Sequence, residues 1–351
     1  MSIIIAFTAF LSIPRVQNVL FKRILNKFSE QTHFNIHHRH FSLKWFHEVL
    51  LTDFTVNDPN NQLVCAIKCL KLRINPFHIF WTKDIVIDYL EVVDGHLQLV
   101  KGKADTAFNL QTLLLRLETP NSVAIGVPVY TKGVSVAKVS LRDFSILVDD
   151  QTMPLAATGF DLYHLKVEGI VAELNQLLYQ ENTLLGNLQR FSGYDPIQDL
   201  KLHQLHTQFK VTPHGTLLNN LHINTDGSSF KGSLSFSYEQ TTDPSKLVTQ
   251  AYIEAQLEEL KLASKELSYF IPYFKGHNTD YILKGNILGR LDDFHLKDFY
   301  LEFGKNKSHL AGSINLKGLP DFDNVYFNLD ISKGCLYAFD LLPHVPQEHH
   351  Y

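Results

Sequence analysis

The sequence predicts a mainly β protein: an elongated antiparallel sheet with an amphipathic helix near its N-terminus and a few short helices elsewhere. Three observations favour this fold class. Apolar and polar residues alternate in many short stretches, Phe (25) and Tyr (14) far outnumber Met (2), and helical stretches are few. Aromatic and β-branched side chains fit a pleated surface, and a doubly wound parallel sheet would need a helix after nearly every strand.

The bulk composition limits the classes of function. The chain has 351 residues, of which 45% are apolar and 19% are charged. These proportions indicate a folded protein, neither disordered nor membrane-embedded over its whole length. The formal net charge is −4 and the isoelectric point is about 6.5. Without a basic stripe interleaved with aromatic residues, we expect no nucleic-acid partner.

An apolar segment, residues 1–13, opens the chain. Ile3–Ile13 is uncharged and almost wholly apolar. It is shorter than the roughly 20 residues that a membrane-spanning helix needs, and it lacks the basic start of a secretory signal. It is either the end of a truncated membrane anchor or signal anchor, which the basic helix after it favours, or a buried strand or helix.

Residues 14–31 are predicted to form an amphipathic helix. Val16, Leu20, Ile24 and Phe28 recur at helical spacing, and the basic residues fall elsewhere around the helix. Such a helix can cap the end of a sheet, or it can lie on a membrane surface with its lysines toward the lipid headgroups. The two roles are compatible.

Period-two alternation dominates residues 32–335, the predicted sheet body, whereas residues 336–351 are expected to be a frayed end. Four stretches share an apolar residue, a short polar step ending in Asp or Asn, and an alternating strand. They are VLLTDFTVND, VSLRDFSILVDD, HLKDFYLEFGKN and DFDNVYFNLD. Because their spacing is irregular, we interpret them as a recurring hairpin design and not as a fixed-length repeat.

The stretch Asp84–Val100, DIVIDYLEVVDGHLQLV, predicts a β-hairpin. Asp94-Gly95 is a dipeptide that suits a two-residue turn with two positive φ angles. The hairpin would have a polar face with Glu91 and Gln98 exposed to solvent. Its apolar face would carry Leu90, Val92, Leu97 and Leu99.

Three further stretches predict helices: Phe108–Leu117, Val171–Gln189 and Ser264–Phe274. In the third, Ser264 is the expected N-cap and Pro272 lies near the end of the helix. So few helices cannot cover the apolar faces of a dozen strands. The sheet must therefore close on itself as a sandwich or barrel, or form an elongated trough that holds a lipid-like guest or a partner.

If the sheet forms a trough, the alternating apolar residues are the candidate lipid-binding positions. They would hold acyl chains by dispersion and burial, without a polar group that recognises a headgroup. The candidates are Leu90, Val92, Leu97, Leu99, Phe230, Leu234, Phe236, Phe299, Leu301, Phe303, Val325, Phe327 and Leu329. In a closed sandwich the same residues would pack against one another.

We find no pattern that predicts catalysis or a cofactor. The histidine-rich stretch His33, His37, His38 and His40 contains no Cys, Asp or Glu, and strand geometry would place at most two of its imidazoles together. We interpret it as a polar edge and expect no metal. Nucleophile and phosphate-binding motifs are absent from the sequence, so the protein is not expected to be an enzyme.

Cys65 and Cys69 lie four residues apart in a predicted strand. That spacing puts them about 13 Å apart, which is too far for a disulfide. The C-x-x-x-C pattern is also not a zinc or redox motif. We interpret both thiols as small buried apolar groups.

The order of features over Phe10–Val100 resembles the AsmA-like superfamily, most closely the N-terminal part of TamB-type translocation and assembly module proteins. The end of an anchor leads into an amphipathic helix, a strand, and then a V-x-L-x-D-F-x-V-x-D strand. A strand that ends before Ile74-Asn75-Pro76 follows, and then an I-x-I-D-x-L-E-V-x-D-G-x-L stretch. SKELSYFIPYF and GSINLKGLPDFDNVYFNLDIS resemble later segments of the same proteins.

This resemblance implies a protein anchored by its N-terminus in the inner membrane of a Gram-negative bacterium, with its body in the periplasm. The strands would roll into a taco-like apolar groove along which phospholipid acyl chains travel. The TamB-type branch is also tied to outer-membrane protein assembly with a barrel partner in the outer membrane. Proteins of that branch are far longer, so we expect this chain to be an N-terminal portion, a truncated product or a short relative.

A second function, from another class, remains open on the residues alone. A closed β-sandwich could act as an interaction module that binds a protein partner through a free sheet edge.

Overall fold

The computed structural model describes residues 13–44, 47–74, 85–118, 133–155, 161, 163–238, 251–269, 271–290, 292–319 and 325–344. Within these ranges sixteen strands form one mostly antiparallel sheet, which confirms the predicted mainly β class. The strands are β1 Asn35–His37, β2 His40–Lys44, β3 Glu48–Asn57, β4 Leu63–Ile74, β5 Ile85–Lys101, β6 Val134–Asp150, β7 His164–Gln180, β8 Thr183–Asp195, β9 Leu200–Thr212, β10 Gly215–Thr225, β11 Ser229–Ser237, β12 Tyr252–Ala263, β13 Asp280–Arg290, β14 Asp293–Phe303, β15 Ser308–Lys317 and β16 Tyr326–Cys335.

Helical elements are few, as expected. They are the helices α1 Pro14–Thr32, α2 Asn109–Glu118, α3 Ser264–Leu267 and α4 Ala338–Leu341, and the 3₁₀ turns Pro272–Phe274 and Leu342–His344. No helix among the described residues is both long enough and apolar enough to cross a bilayer. The residues 1–12, the Asn75-Pro76 corner and residues 321–324 lie outside the described ranges.

Strand order follows chain order almost throughout the sheet. The exception is at its start, where β1 and β2 both pair with β3, one after the other along the same edge. The pair β5–β6 is parallel, with Ile85 opposite Val134 and Lys101 opposite Asp150. The other pairs with a described register are antiparallel.

The chain divides into two compact units, which are described separately below. One contains α1, α2 and β1–β7, and the other contains β10–β16 with the C-terminal turns. The strands β8 and β9 contribute residues to both units.

The predicted hairpin at Asp94-Gly95 is wrong. The strand β5 runs straight through both residues, and Asp94 adopts a left-handed conformation with φ 55° inside it. Val92 therefore pairs with Leu70 and Leu141 on the neighbouring strands instead of with Leu97. The residue types that suit a tight turn also tolerate a single left-handed residue in a continuous strand.

The predicted helix over Val171–Gln189 is also wrong. These residues belong to the antiparallel strands β7 and β8. The chain reverses at Glu181 and Asn182, whose φ angles are 50° and 58°. Two consecutive residues with positive φ are typical of a tight hairpin turn. Because neither residue is glycine, the Glu181-Asn182 dipeptide did not predict this turn.

The other helix predictions are confirmed in part. The helix α1 extends the predicted amphipathic helix by one residue, and α2 matches the predicted Phe108–Leu117 closely. The helix α3 is only one turn long, and the Ser264 hydroxyl does not cap it. That hydroxyl instead bonds the backbone of Thr279, donating to its carbonyl oxygen and accepting from its N–H at 2.9 Å.

The helices α1 and α2 cover one end of the sheet in the first unit, as the capping interpretation predicted. Phe34, Val56, Val64 and Leu113 form a buried core there, with Phe28 of α1 against it. The guanidinium of Arg116 lies over the Phe34 ring, 5.7 Å from its centroid.

The recurring Asp-Phe motif marks strand interiors and not hairpins. Asp53, Asp143 and Asp298 lie within β3, β6 and β14, and their φ angles are 49°, 52° and 50°. At Asp143 and Asp298 the register with a neighbouring strand shifts by one residue, which defines a β-bulge.

Candidate functional site

Apolar side chains of the first unit line up in rows across neighbouring strands. In one row of successive partners from β3 to β7, all five residues are apolar and three are buried. This row consists of Leu51, Leu70, Val92, Leu141 and Ala172. The rows on either side consist of Val49, Leu72, Leu90, Val139 and Leu174, and of Val56, Cys65, Leu97, Ile146 and Val167.

The left-handed residues keep these rows on one face. Strict alternation would put residues three positions apart on opposite faces of the sheet. A Cβ added at Gly95, however, would lie 3.1 Å from a methyl group of Val92 and would meet the Phe144 ring. Val92 and Gly95 therefore face the same side, and Asp94 between them resets the alternation so that Leu97 stays on the apolar face.

The opposite face of β5 carries a carboxylate that the prediction placed in solvent. The Glu91 side chain is only 8% exposed, because Lys71 and Arg142 close over it. Lys71 Nζ lies 3.4 Å from Glu91 Oε2, and Arg142 Nη2 lies 3.1 Å from Glu91 Oε1. Burial, and secondarily the charge of Glu91, raises the pKa of Tyr89 nearby.

The second unit repeats the arrangement over more strands. One of its rows crosses seven strands, β10 to β16, with an apolar residue at each crossing. This row consists of Leu218, Leu234, Ala255, Ile287, Leu296, Ile314 and Leu329. A neighbouring row from β10 to β15 consists of Ile223, Phe230, Leu260, Leu283, Leu301 and Leu310.

In this unit, β-bulges also keep the apolar residues of a row on one face of the sheet. Asp298 lies between Leu296 and Phe299, which are three residues apart yet belong to one buried cluster with Ala255 and Leu257. Such a contact requires a bulge between them, since the pleat would otherwise send the two side chains to opposite faces.

A cavity of about 280 Å³ opens on the apolar face of this unit. Five consecutive strands, β10 to β14, contribute its walls. Arg290 is the single charged residue among the described residues that line the cavity, and its guanidinium bonds the Asp292 carboxylate at 3.1 and 3.3 Å. The other lining residues are Leu221, Ile223, Phe230, Leu234, Ile253, Ala255, Leu257, Ile287 and Phe294.

The predicted lipid-binding residues fall on these faces to different degrees. Phe230 and Leu234 line the cavity, and Leu301 packs beside the buried Phe299. Phe236 pairs with Ile253, a cavity residue, and Phe303 is buried at the end of β14. In the first unit, Leu90, Val92 and Leu97 belong to the rows above, and Leu99 pairs with Val148.

The remaining candidates lie at the last strand. Val325 is half-buried and precedes β16, whereas Phe327 and Leu329 are exposed on it. Every residue of β16 is exposed, and within the described ranges β15 is its one neighbouring strand.

Sequence reasoning missed most of the cavity residues, among them Leu221, Leu257 and Ile287. Leu221 and Leu257 each adjoin a register shift, at Leu218/Leu221 and Leu257/Leu260, where simple alternation fails. A three-residue apolar spacing across Asn or Asp, as in Leu218-Asn-Asn-Leu221, is the signal that would have identified the first of them.

The C-terminal turns are fastened to the second unit next to this face. The Asp340 carboxylate accepts hydrogen bonds from the backbone N–H and side-chain amide of Asn306, both at 3.1 Å. It also accepts from the Ser308 N–H at 3.1 Å and the Ser308 hydroxyl at 2.9 Å. Burial alone would raise the pKa of Asp340, but these hydrogen bonds outweigh it and hold the pKa below its ordinary value.

A cluster of aromatic and imidazole rings surrounds His344 at the same end. The Tyr281 hydroxyl lies 3.3 Å from His344 Nε2, and the Tyr273 hydroxyl donates to the His344 carbonyl at 3.1 Å. The rings of His277 and Phe303 lie 5.5 and 5.8 Å from the His344 ring, centroid to centroid. Burial, and secondarily the positive charge of His277, lowers the pKa of His344.

Among the described residues, no three His, Cys, Asp or Glu side chains are grouped as a metal site would require. Comparison with protein-family models and with curated proteins finds no match to this sequence. The AsmA-like resemblance of Phe10–Val100 therefore stays a prediction.

Proposed function

We propose that this protein is a membrane-anchored periplasmic β-groove protein of the AsmA-like, TamB type. Its apolar sheet face would hold phospholipid acyl chains, in support of phospholipid transport or outer-membrane protein assembly. The observation that carries the proposal is the apolar cavity of the second unit, whose lining includes residues of an apolar row that crosses seven strands. On this proposal the protein is not an enzyme and needs no cofactor.

The chemistry of the face suits an acyl chain. A hydrocarbon chain needs exclusion of water and dispersion contacts, and each buried methylene stabilises the complex by about 0.8 kcal/mol. Neighbouring strands lie about 4.8 Å apart, so a row across seven strands extends roughly 29 Å along the sheet. That length exceeds one extended acyl chain, which spans about half of the roughly 30 Å hydrocarbon core of a bilayer.

The proposed taco-like curl would make a continuous groove of the apolar face around the β10–β14 cavity. An acyl chain in such a groove contacts whichever apolar side chains it passes, so the groove would accept many phospholipids. Arg290, the charged residue among those described at the cavity, is already bonded to Asp292, so its charge contributes little to the selection of a headgroup.

The test is to purify the full chain, extract it with organic solvent and quantify co-purified phospholipid by mass spectrometry. Leu234→Asp puts a charge into the cavity wall and should abolish lipid carriage. Ser233→Asp, the matched control, adds the same charge on the opposite face of the same strand and should leave the lipid in place. The proposal fails if the wild-type protein carries no phospholipid, or if both variants carry as much as the wild type.

The exposed strand β16 favours a second candidate, an interaction module with a closed core that binds a protein partner through this edge. Phe327 and Ile331 are large apolar side chains exposed there, and an unpaired edge is a template for strand addition. Under this alternative the apolar faces pack on each other, so Leu234→Asp should unfold the protein. Far-UV circular dichroism of that variant distinguishes the two functions.

A further inference from the structure

The face of α1 that lies on the sheet carries two amide side chains beside the Phe21 ring, which stacks on that of Phe41. Gln17 is buried, and its side-chain amide donates to the Leu43 carbonyl at 2.7 Å and accepts from the Leu43 N–H at 2.9 Å. Asn18 does the same with Phe41, at 3.0 and 2.9 Å. These amides pair with the backbone of β2 as a neighbouring strand would, so hydrogen bonds fix the orientation of the helix.

This orientation turns apolar side chains outward. Ile13, Val19, Leu20 and Ile24 are 45%, 55%, 40% and 50% exposed. Of the four periodic apolar residues, Phe28 is the one that packs against the buried core at the end of the sheet. Half of the predicted apolar face of α1, the part around Leu20 and Ile24, therefore has little contact with the sheet.

The helix α1 is also basic. The helix carries Arg15, Lys22, Arg23 and Lys27 but only one acidic residue, Glu30. These five side chains give the helix a charge of +3, although the whole chain carries −4. All four basic residues are exposed, and none forms an ion pair with a described residue.

Helical spacing places Arg23 and Lys27 beside the exposed Leu20 and Ile24, so cationic and apolar groups share one surface. The helix also begins directly after the uncharged apolar segment Ile3–Ile13, which would bring its N-terminus to a membrane. An exposed apolar strip flanked by basic residues is the pattern of a helix that lies in the interface of an anionic bilayer.

We propose that the outward face of α1, centred on Leu20, Arg23, Ile24 and Lys27, docks on the surface of a bilayer that contains anionic phospholipid. The inference deepens the membrane attachment of the proposed function and rests on it. It does not depend on lipid in the apolar cavity, which lies in the other unit. Docking would attach the first unit to the membrane through the amide contacts of Gln17 and Asn18 with β2.

The test uses the full chain with an environment-sensitive fluorophore on Val19→Cys, in a Cys335→Ser background because Cys335 is exposed. Vesicles of phosphatidylglycerol with phosphatidylcholine should shift the emission of the probe to the blue, and vesicles of phosphatidylcholine alone should shift it less. Each basic residue near an anionic surface strengthens binding about fivefold. Arg23→Glu with Lys27→Glu should therefore weaken binding to the anionic vesicles, measured by titrating the emission shift, by a factor of about 30 or more.

Two comparisons make the result specific to α1. Lys103→Glu with Lys138→Glu makes the same charge change at exposed positions elsewhere in the first unit and should leave the response unchanged. Leu20→Ser with Ile24→Ser should reduce the response on both kinds of vesicle, since it removes the inserted apolar groups. The mutated residues are exposed, so far-UV circular dichroism should stay the same throughout.

Vesicle flotation separates docking from anchoring by the apolar segment. If the protein floats with vesicles but the probe does not respond, the segment alone holds it and the inference is wrong. Equal responses from the Arg23/Lys27 and Lys103/Lys138 variants would also overturn it. The phospholipid that co-purifies with the protein is measured on the same samples. Loss of vesicle docking is therefore recognised separately from loss of lipid in the cavity.

Discussion

Asp94 and Asp143 lie opposite each other in the parallel pair β5–β6, and both have left-handed backbones. Their neighbours Val93 and Arg142 are register partners, as are Gly95 and Phe144, and the two φ angles are 55° and 52°. The two strands thus change their alternation at the same point. This juxtaposition keeps Leu97 and Ile146 on the apolar face that Val92 and Leu141 begin.

Asp143→Val should destabilise the protein by about 1–2 kcal/mol, because a β-branched residue tolerates a left-handed conformation poorly. Asp143 is exposed, so little packing is lost. Asp143→Gly and Asp143→Asn should be close to neutral, since both residues adopt positive φ readily. Chemical denaturation measures the difference. Asp88→Val, at an exposed position of β5 without a positive φ, is the control, and an equal loss there would contradict the bulge explanation.

Arg142→Ala should cost about 1–2 kcal/mol, because it removes a charged hydrogen bond from the buried Glu91 carboxylate. The guanidinium itself is largely exposed, which keeps the loss below that of a fully buried pair. Lys317→Ala removes the exposed pair with Asp293, whose atoms lie 3.0 Å apart, and should cost less than about 1 kcal/mol. Urea denaturation of the two variants tests this order, and a larger loss for Lys317→Ala would refute it.

Asp340→Ala should release the C-terminal turns from the loop between β14 and β15. The Asn306 and Ser308 amides donate to this carboxylate, so their hydrogen exchange should accelerate while that of the central strands stays unchanged. Asp330→Ala, which removes an exposed carboxylate on β16, is the control. Because the folded pKa of Asp340 is lowered, its contribution to stability is present above the unfolded value and is lost as pH falls through the folded pKa.

Stability should fall as the solution is acidified below about pH 6.5, the ordinary pKa of histidine, partly because of His344. Its folded pKa is lowered by burial and by His277, so the unfolded chain binds the proton more readily. The stabilisation is complete above the unfolded pKa and decreases as pH falls toward the folded one. His344→Gln should flatten the dependence of the melting temperature on pH, whereas the exposed His214→Gln should not. An unchanged slope in His344→Gln would rule this contribution out.

Cys65 should react with iodoacetamide far more slowly than Cys335. Burial raises the pKa of the Cys65 thiol to about 11, so very little thiolate is present near neutral pH. Cys335 is exposed on β16. Peptide mass spectrometry after brief alkylation should find the label on Cys335, and denaturant should make both cysteines reactive. Equal labelling in the native protein would show that this part of β4 is open.

Much of the fold could be predicted because alternation is local. The strand from Phe299 to Phe303 and its apolar face follow from residue types alone, and so does the amphipathic helix. The wrong predictions concern residues whose conformation depends on long-range strand pairing. Asp94-Gly95 suits either a turn or a left-handed position, and only β4 and β6, which flank β5 on both sides, keep the strand straight.

The candidate site was predicted in outline for the same reason. Phe230 and Leu234 are recognisable as apolar strand positions, but the shape of the cavity depends on how successive strands bend. Bulges such as that at Asn220 set this bend, and a bulge shows in sequence only as one residue too many between apolar positions. The orientation of α1 could not be predicted either. Hydrogen bonds of the Gln17 and Asn18 side chains to β2 help to set it, and the apolar periodicity of the helix does not reveal them.

The parallel pair β5–β6 has a consequence for how this chain folds. Nearly all other neighbouring strands are also neighbours in sequence, so hairpin after hairpin can form with short loop closures. The end of β5 at Lys101 and the start of β6 at Val134 lie at opposite ends of this pair, and 32 residues, Gly102 to Gly133, separate them in sequence. We expect the pairing of β5 with β6 to be the slow step of folding. Before it, the strands up to β5 and the strands from β6 onward would form two separate sheets.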